Sequence, residues 1–185
     1  MKAHGSTSLG VGFTGHRKIS DPAMIAEAIA RELAWLRDEA PSPLAAISSV
    51  ASGADTLFAE EVLKLGIPWT ALLPFPGEEF AEDFGPAEWA RAEECLARAT
   101  AVEVCSSSAN RPQGYYDVGV KMAAACDVLF AVWNGGPSGG IGGTAEIVGY
   151  ARRMDKPVVW IQLETGVVIR ERFADSASGP HMGFD

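Results

Sequence analysis

Cysteine, histidine and tyrosine are scarce in this chain, three of each in 185 residues. Cys95, Cys105 and Cys126 are odd in number, widely spaced and set among alanines and valines, which excludes a disulfide framework and a zinc cluster and suits buried thiols. Long apolar runs are missing too. The longest in the C-terminal half, Val128 to Trp133, is far too short to span a bilayer, and the N-terminus carries no hydrophobic signal core. The expectation is a cytoplasmic protein without membrane contact. Positive charge is in deficit: 15 Lys and Arg stand against 24 Asp and Glu, a net charge of −9. That excludes a broad basic surface gripping DNA phosphates, and no basic groove is interleaved with aromatics as single-stranded DNA would need. DNA is therefore not an expected partner. A Walker A loop is absent because GK[ST] is absent, so ATP hydrolysis has no support.

What is present has the proportions of one globular domain: 48% apolar residues, 20 Gly and 11 Pro, with no internal repeat and no low-complexity linker. Short runs rich in Val, Ile and Phe alternate with longer segments of helical period, the pattern of a parallel α/β sheet. Strands are expected at 9–14, 45–51, 69–73, 101–105, 127–133 and 157–162. Between them, Asp21 and Pro22 open a first helix, a second stops at Gly66, and further helices are expected at 86–99, 115–126 and 144–154. Residues 74–85 read as a loop with at most a turn of helix, placed to fold over a site, and 106–114 as a polar connection. From 163 to 185 periodicity is lost and an irregular tail is expected after a core at about 9–162. The fold class is α/β, a Rossmann-like, doubly wound, mostly parallel sheet of six or seven strands with helices on both faces. Ligands of such sheets bind beyond the carboxyl ends of the strands, which makes the residues after each strand the candidates.

After the first strand, in GFTGHRK, Gly12, Thr14 and Gly15 let the chain turn tightly, and Thr14, His16 and Arg17 offer donors to an anion. The alternative is a plain turn with a basic pair facing water. After the second strand, Ser52 and Gly53 fall where a helix N-terminus opens, and Asp55 either caps that helix or orients a ribose hydroxyl. The strongest signal is NGGPSGGIGGTAE, with glycines at 135, 136, 139, 140, 142 and 143 directly ahead of a helix. Consecutive backbone amides freed of side chains can close on a phosphate, and Thr144 adds a hydroxyl at the positive end of the helix dipole. The competing reading is a surface loop. Glu146, in the first turn, is a nucleophile, a general acid, a ribose acceptor or simply a favourable charge at a helix start. Tyr115 and Tyr116, with Arg111 upstream, either wall a base or sugar or pack in part against the core. Trp133 reads as core or pocket floor, and the other four tryptophans as structural.

Taken in order, GFTGHR, SGAD, LLPFP, FAVWNG and GGIGGTAE resemble the SLOG superfamily over roughly residues 9–162. These are Rossmann-like nucleotide-binding domains related to LOG phosphoribohydrolases and DNA-processing Smf proteins. The resemblance implies a small-molecule nucleotide as partner, a phosphorylated nucleoside or a NAD-derived ligand, with its phosphate on Gly140, Gly142, Gly143 and Thr144. Gly15, Arg17, Ser52 and Gly53 would complete the cleft, and Gly12, Thr14, His16, Asp55, Tyr115 and Gly135 are the further ligand-binding candidates. LOG proteins and nucleoside deoxyribosyltransferases, which look similar over the same stretch, cleave N-glycosidic bonds with a glutamate. Here the acid falls one residue early, as Gly143-Thr144-Ala145-Glu146, with Ile147 at the position the family gives to glutamate. Glu146 is the catalytic candidate under that alternative function. No cofactor beyond the nucleotide is implied, and although Mg2+ can accompany phosphates, no cluster of carboxylates calls for it. LOG relatives commonly dimerise, and the apolar helices at 115–126 and 144–154 would supply either a homodimer interface or simply a core face.

Overall fold

The computed structural model describes residues 8–105, 110–137 and 140–173. Along the chain run β1 (Leu9–Gly15), α1 (Pro22–Glu39), β2 (Leu44–Ser48), α2 (Ala54–Lys64), β3 (Trp69–Leu73), α3 (Gly77–Ala81), α4 (Pro86–Leu96), β4 (Ala101–Val104), α5 (Arg111–Ala125), β5 (Val128–Trp133), α6 (Thr144–Arg153), β6 (Val158–Gln162) and β7 (Val168–Glu171). The strands form one sheet in the order β4-β3-β2-β1-β5-β6-β7. Every pairing is parallel except β6 with β7. All six residues of β5 are buried, as expected for a parallel strand covered by helices on both faces.

Local chemistry sets the element ends. The Asp21 carboxylate accepts the Met24 amide at the start of α1, with Pro22 in the first turn where its missing N–H costs nothing. Past α2, Gly66 takes a left-handed φ of +67° before Pro68 turns the chain into β3. Against one face of the sheet pack Ile25, Ile29, Leu33, Phe58 and Val62 of α1 and α2, with Phe13 and Phe58 stacked 4.4 Å apart. Met122, Ile147 and Val148 of α5 and α6 cover Leu129 on the other face. Among the described residues no helix is long and apolar enough to cross a membrane.

Beyond a second strand that ends at Ser48 and not at 51, the fold differs from the sequence expectation in three places. Residues 77–81 of the expected loop form α3, and α5 begins at Arg111, a turn ahead of Tyr115, because the Asn110 side chain accepts the Gln113 amide and Pro112 suits the first turn. Part of that polar connection, 106–109, lies outside the described residues. The third difference concerns the region expected to be an irregular tail. Val168–Glu171 is a seventh strand, antiparallel to β6, and only 174–185 fall outside the described residues.

Two ion pairs explain why so polar a segment is held. Arg170 reaches the buried Glu32 carboxylate of α1 at 2.8 Å and lies 3.5 Å from the Trp35 ring centroid. Glu171 takes both Arg152 nitrogens of α6, at 2.6 and 2.9 Å. The strand is thereby tied to helices on opposite faces of the sheet. Removing the cation from Glu32 leaves a buried carboxylate with only the exposed Arg31 beside it. Arg170→Ala should therefore cost about 3 kcal/mol of unfolding free energy in a urea titration, well above an exposed pair.

Candidate functional site

The sheet order reverses at β1, with β2 to β4 on one side and β5 to β7 on the other, which opens a crevice beyond the carboxyl ends of β1 and β5. A cleft of about 550 Å3 lies there, a size suited to a small ligand.

One wall is the Gly-rich turn and the start of α6: Gly140, Gly142, Gly143 and Thr144 all line the cleft. Gly142 has a φ of +80°, and a Cβ there would lie 2.9 Å from the Tyr116 backbone nitrogen, so neither the conformation nor the approach to α5 admits another residue. Trp133 lines the cleft and donates its indole N–H to the Gly136 carbonyl at 2.9 Å, while Trp160 donates to the Trp133 carbonyl at 2.9 Å. The turn is thus pinned at its entry, with Gly135 against Trp160 at a φ of +79°. Ser138 and Gly139 lie outside the described residues.

Glu146 faces elsewhere. Its carboxylate accepts the Gly142 amide at 2.7 Å, an N-terminal cap of the turn, and the residue borders a neighbouring open hollow together with Gly135 and Gly136. Ile147, only 1% exposed, lines the cleft instead. One residue along a helix is a rotation of about 100°, and that rotation separates the two.

The opposite wall comes from α5 and the segment after α3. Tyr115 donates its hydroxyl to the Asp83 carboxylate, which Arg111 also pairs at 2.9 Å. Arg111 sits over the Phe75 ring at 4.8 Å, and Arg17 over the Tyr115 ring at 4.7 Å. Burial and the bond to Asp83 push the Tyr115 hydroxyl up to about 12. Burial alone would raise Asp83, but bonds from Tyr115 and Arg111 and the charges of Arg111 and Arg17 hold it below the usual carboxylate range. Segment 77–85 is therefore strapped over one side of the cleft, in the position its sequence suggested.

Thr14 and Gly15 at the end of β1, His16 and Arg17 after it, Ser49 and Ala51 after β2, and Asp55 of α2 also line the cleft. Asp55 does not cap α2: its carboxyl is buried near the Gly15 and Ala51 amides, with Oδ1 left without a partner. Burial pushes it up to about 7 against the opposing charge of Arg17 and those two amides. Among the described residues, the buried side-chain polar atoms without a partner are His16 Nε2, Ser49 Oγ and Asp55 Oδ1, and all three residues line this cleft.

Four expected ligand residues stand outside it, Gly135 among them, on the neighbouring hollow. Gly12 is thin because α5 crosses it: a Cβ there would lie 2.5 Å from the Met122 sulfur and 2.7 Å from Cys126 Sγ. Ser52 and Gly53 border a separate cavity of about 170 Å3 with Glu88 and Arg91. The N-terminus of α2 is moreover occupied by the chain itself, since the Ala54 amide donates to the His16 carbonyl at 3.1 Å and a Cβ on Gly53 would strike the Arg17 carbonyl at 2.2 Å. Conversely, Ser49 and Asp83 were not singled out by sequence. A second strand ending at Ser48, as it does, would have exposed Ser49 as the first residue after a strand. Among the described residues no group of three His, Cys, Asp or Glu side chains could hold a metal ion.

Two outcomes test this geometry. Asp55 binds its proton more tightly folded than unfolded, so its contribution to stability is full below its ordinary value near 3.8 and is lost as pH rises through about 7. Asp55→Asn should melt above the native chain by a margin that grows from pH 5 to pH 8.5, to a few kcal/mol at most, seen in paired melting curves. Gly142→Ala should lose about 1–3 kcal/mol of stability through the strained φ, measured by urea unfolding.

No family model matches the sequence, and no curated protein does. Solved structures do. DNA processing protein A from Streptococcus pneumoniae superposes with a TM-score of 0.60 at 16% identity, over 83% of this chain and 50% of that one. This chain thus spans half the length of that protein. The structural-genomics target TM1055 gives 0.55 at 16% identity, over 85% and 76%. The molybdenum cofactor carrier protein from Chlamydomonas reinhardtii gives 0.50 at 17% identity, over 83% and 76%. With the sheet order and the position of the crevice, these likenesses establish a Rossmann-like fold.

Proposed function

We propose that the cleft binds a phosphorylated nucleoside or a NAD-derived ligand, with its phosphate on the turn from Gly140 to Thr144. The observation that carries this reading is a convergence: a glycine turn at a helix start and the unpartnered buried side-chain atoms meet in one crevice, where ligands of this architecture bind. The acidic total does not oppose it. Local potential is set by the α6 N-terminus and by Arg17, which among the described residues has no ion-pair partner. The fold neighbours are described as a DNA-processing protein and a cofactor carrier, and a shared fold at this identity does not choose between such roles.

Binding is favoured over N-glycoside hydrolysis by Glu146. Its carboxylate is engaged by the Gly142 amide, and the side chain facing the cleft one position later is that of Ile147. A glycosidase acting through Glu146 would have to break that cap and turn the helix start. DNA is disfavoured by a net charge of −9.

A thermal-shift panel of AMP, GMP, CMP, IMP, NAD and ADP-ribose, with chromatography for released base, tests the proposal. A ligand at a hundredfold excess over its dissociation constant adds about 2.7 kcal/mol, an easily read shift in melting temperature. The expected result is stabilisation by at least one of these without base release, and no stabilisation by any would overturn the reading. Glu146→Gln should leave affinity within about threefold, whereas release of base that disappears in this variant would restore the glycosidase.

A further inference from the structure

The phosphate proposal accounts for one wall of the cleft and leaves its floor unexplained. His16 follows β1 and Ser49 follows β2, strands whose register pairs Phe13 with Ser48, and Asp55 stands in the first turn of the helix that β2 leads into. The three therefore come from neighbouring chain ends. The large majority of buried side-chain polar atoms in proteins have a partner, because one left without it has given up its hydration uncompensated. Yet Ser49 Oγ, His16 Nε2 and Asp55 Oδ1 have none, while the other buried polar side chains nearby do: Ser48 Oγ donates to the Ser49 carbonyl, and Thr56 Oγ1 to the Ala51 carbonyl. Leaving three unpaired in a single cavity is the arrangement of groups set for an incoming partner.

Their chemistry restricts that partner. A second phosphate would meet the Asp55 carboxyl, and a cation would meet Arg17, whose charge already acts on Asp55. A hydroxyl such as Ser49 both donates and accepts, an imidazole nitrogen does either according to its tautomer, and a carboxyl oxygen accepts or, when protonated, donates. We infer that His16, Ser49 and Asp55 form a second subsite, which takes an uncharged group carrying both a donor and an acceptor. Sugar hydroxyls and the edge of a nucleobase share that chemistry. The inference rests on the phosphate reading of the α6 turn and adds to it the neutral end of the same ligand.

Calorimetric titration with inorganic phosphate, ribose 5-phosphate and the four ribonucleoside 5′-monophosphates separates the two claims. The native chain, Ser49→Ala and Asp55→Asn are compared, each first shown to melt cooperatively. Ser49→Ala removes one hydroxyl and leaves the carboxyl in place, so a folding defect in the Asp55 variant does not decide the result. The inference expects at least one nucleotide to bind tenfold or more tighter than inorganic phosphate, and Ser49→Ala to lower that affinity at least fivefold while affinity for inorganic phosphate stays within twofold. A matching loss for ribose 5-phosphate assigns the floor to sugar hydroxyls, and a loss confined to the nucleotide assigns it to the base. Nucleotide affinity unchanged in both variants, or falling in step with that for phosphate, overturns the second subsite and leaves the phosphate site standing. Failure of every one of these compounds to bind the native chain overturns both.

Discussion

The close approach of two helices to the central strand is the constraint on which the rest of this structure depends. β1 is covered on both faces, and α5 crosses it at Gly12, where Met122 and Cys126 fill the space a side chain would take. On the other face Ala54 of α2 sits where a Cβ on Gly15 would be, 2.5 Å away. Packing this tight fixes the heights of both helices relative to the sheet. The start of α2 then places Asp55 under the crevice, and the start of α5 brings Tyr115 and Arg111 to its rim. The glycines that read as pieces of a binding motif divide accordingly: Gly12 and Gly53 serve contacts inside the protein, Gly15 and Gly142 both pack against helices and line the cleft, and Gly140 and Gly143 line the cleft.

This division marks where the sequence stopped being legible. Strand positions and fold class followed from alternating apolar runs, because a buried parallel strand needs a short continuous run and little else. The Gly-rich turn was legible for the same kind of local reason, six glycines ahead of a helix. Which side of a turn a residue faces is set by neighbours far along the chain. Ser52 and Gly53 had the composition of an anion site, but the His16 carbonyl already accepts the Ala54 amide there. Nothing local in SGAD announces that bond. For Asp55, capping and ligand contact were both open, and burial beneath β1 decided against capping. β7 escaped notice since its stability comes from Glu32 and Arg152, partners that no periodicity within 163–173 could reveal.

Electrostatics in the cleft are organised by pairing more than by total charge. Arg111 and Tyr115 converge on Asp83, so that rim is neutralised and ordered. Arg17 is stacked on Tyr115 and faces the cavity, its charge acting on Asp83 and Asp55. A net charge of −9 on the whole chain thus does not oppose the proposed phosphate site, because the carboxylates nearest the crevice are partnered, as Asp83 and Glu146 are, or pushed toward neutrality, as Asp55 is.

The clasp made by β7 bears on the order in which the chain is built. Glu32 and Arg170 are 138 residues apart, so α1 emerges long before the cation that completes it has been synthesised. Until then the carboxylate must stay in water, and the face of α1 around Trp35 cannot close over it. A contact between the two ends of the domain therefore acts as a completion signal, reserving part of the native stability for a chain made through to its seventh strand.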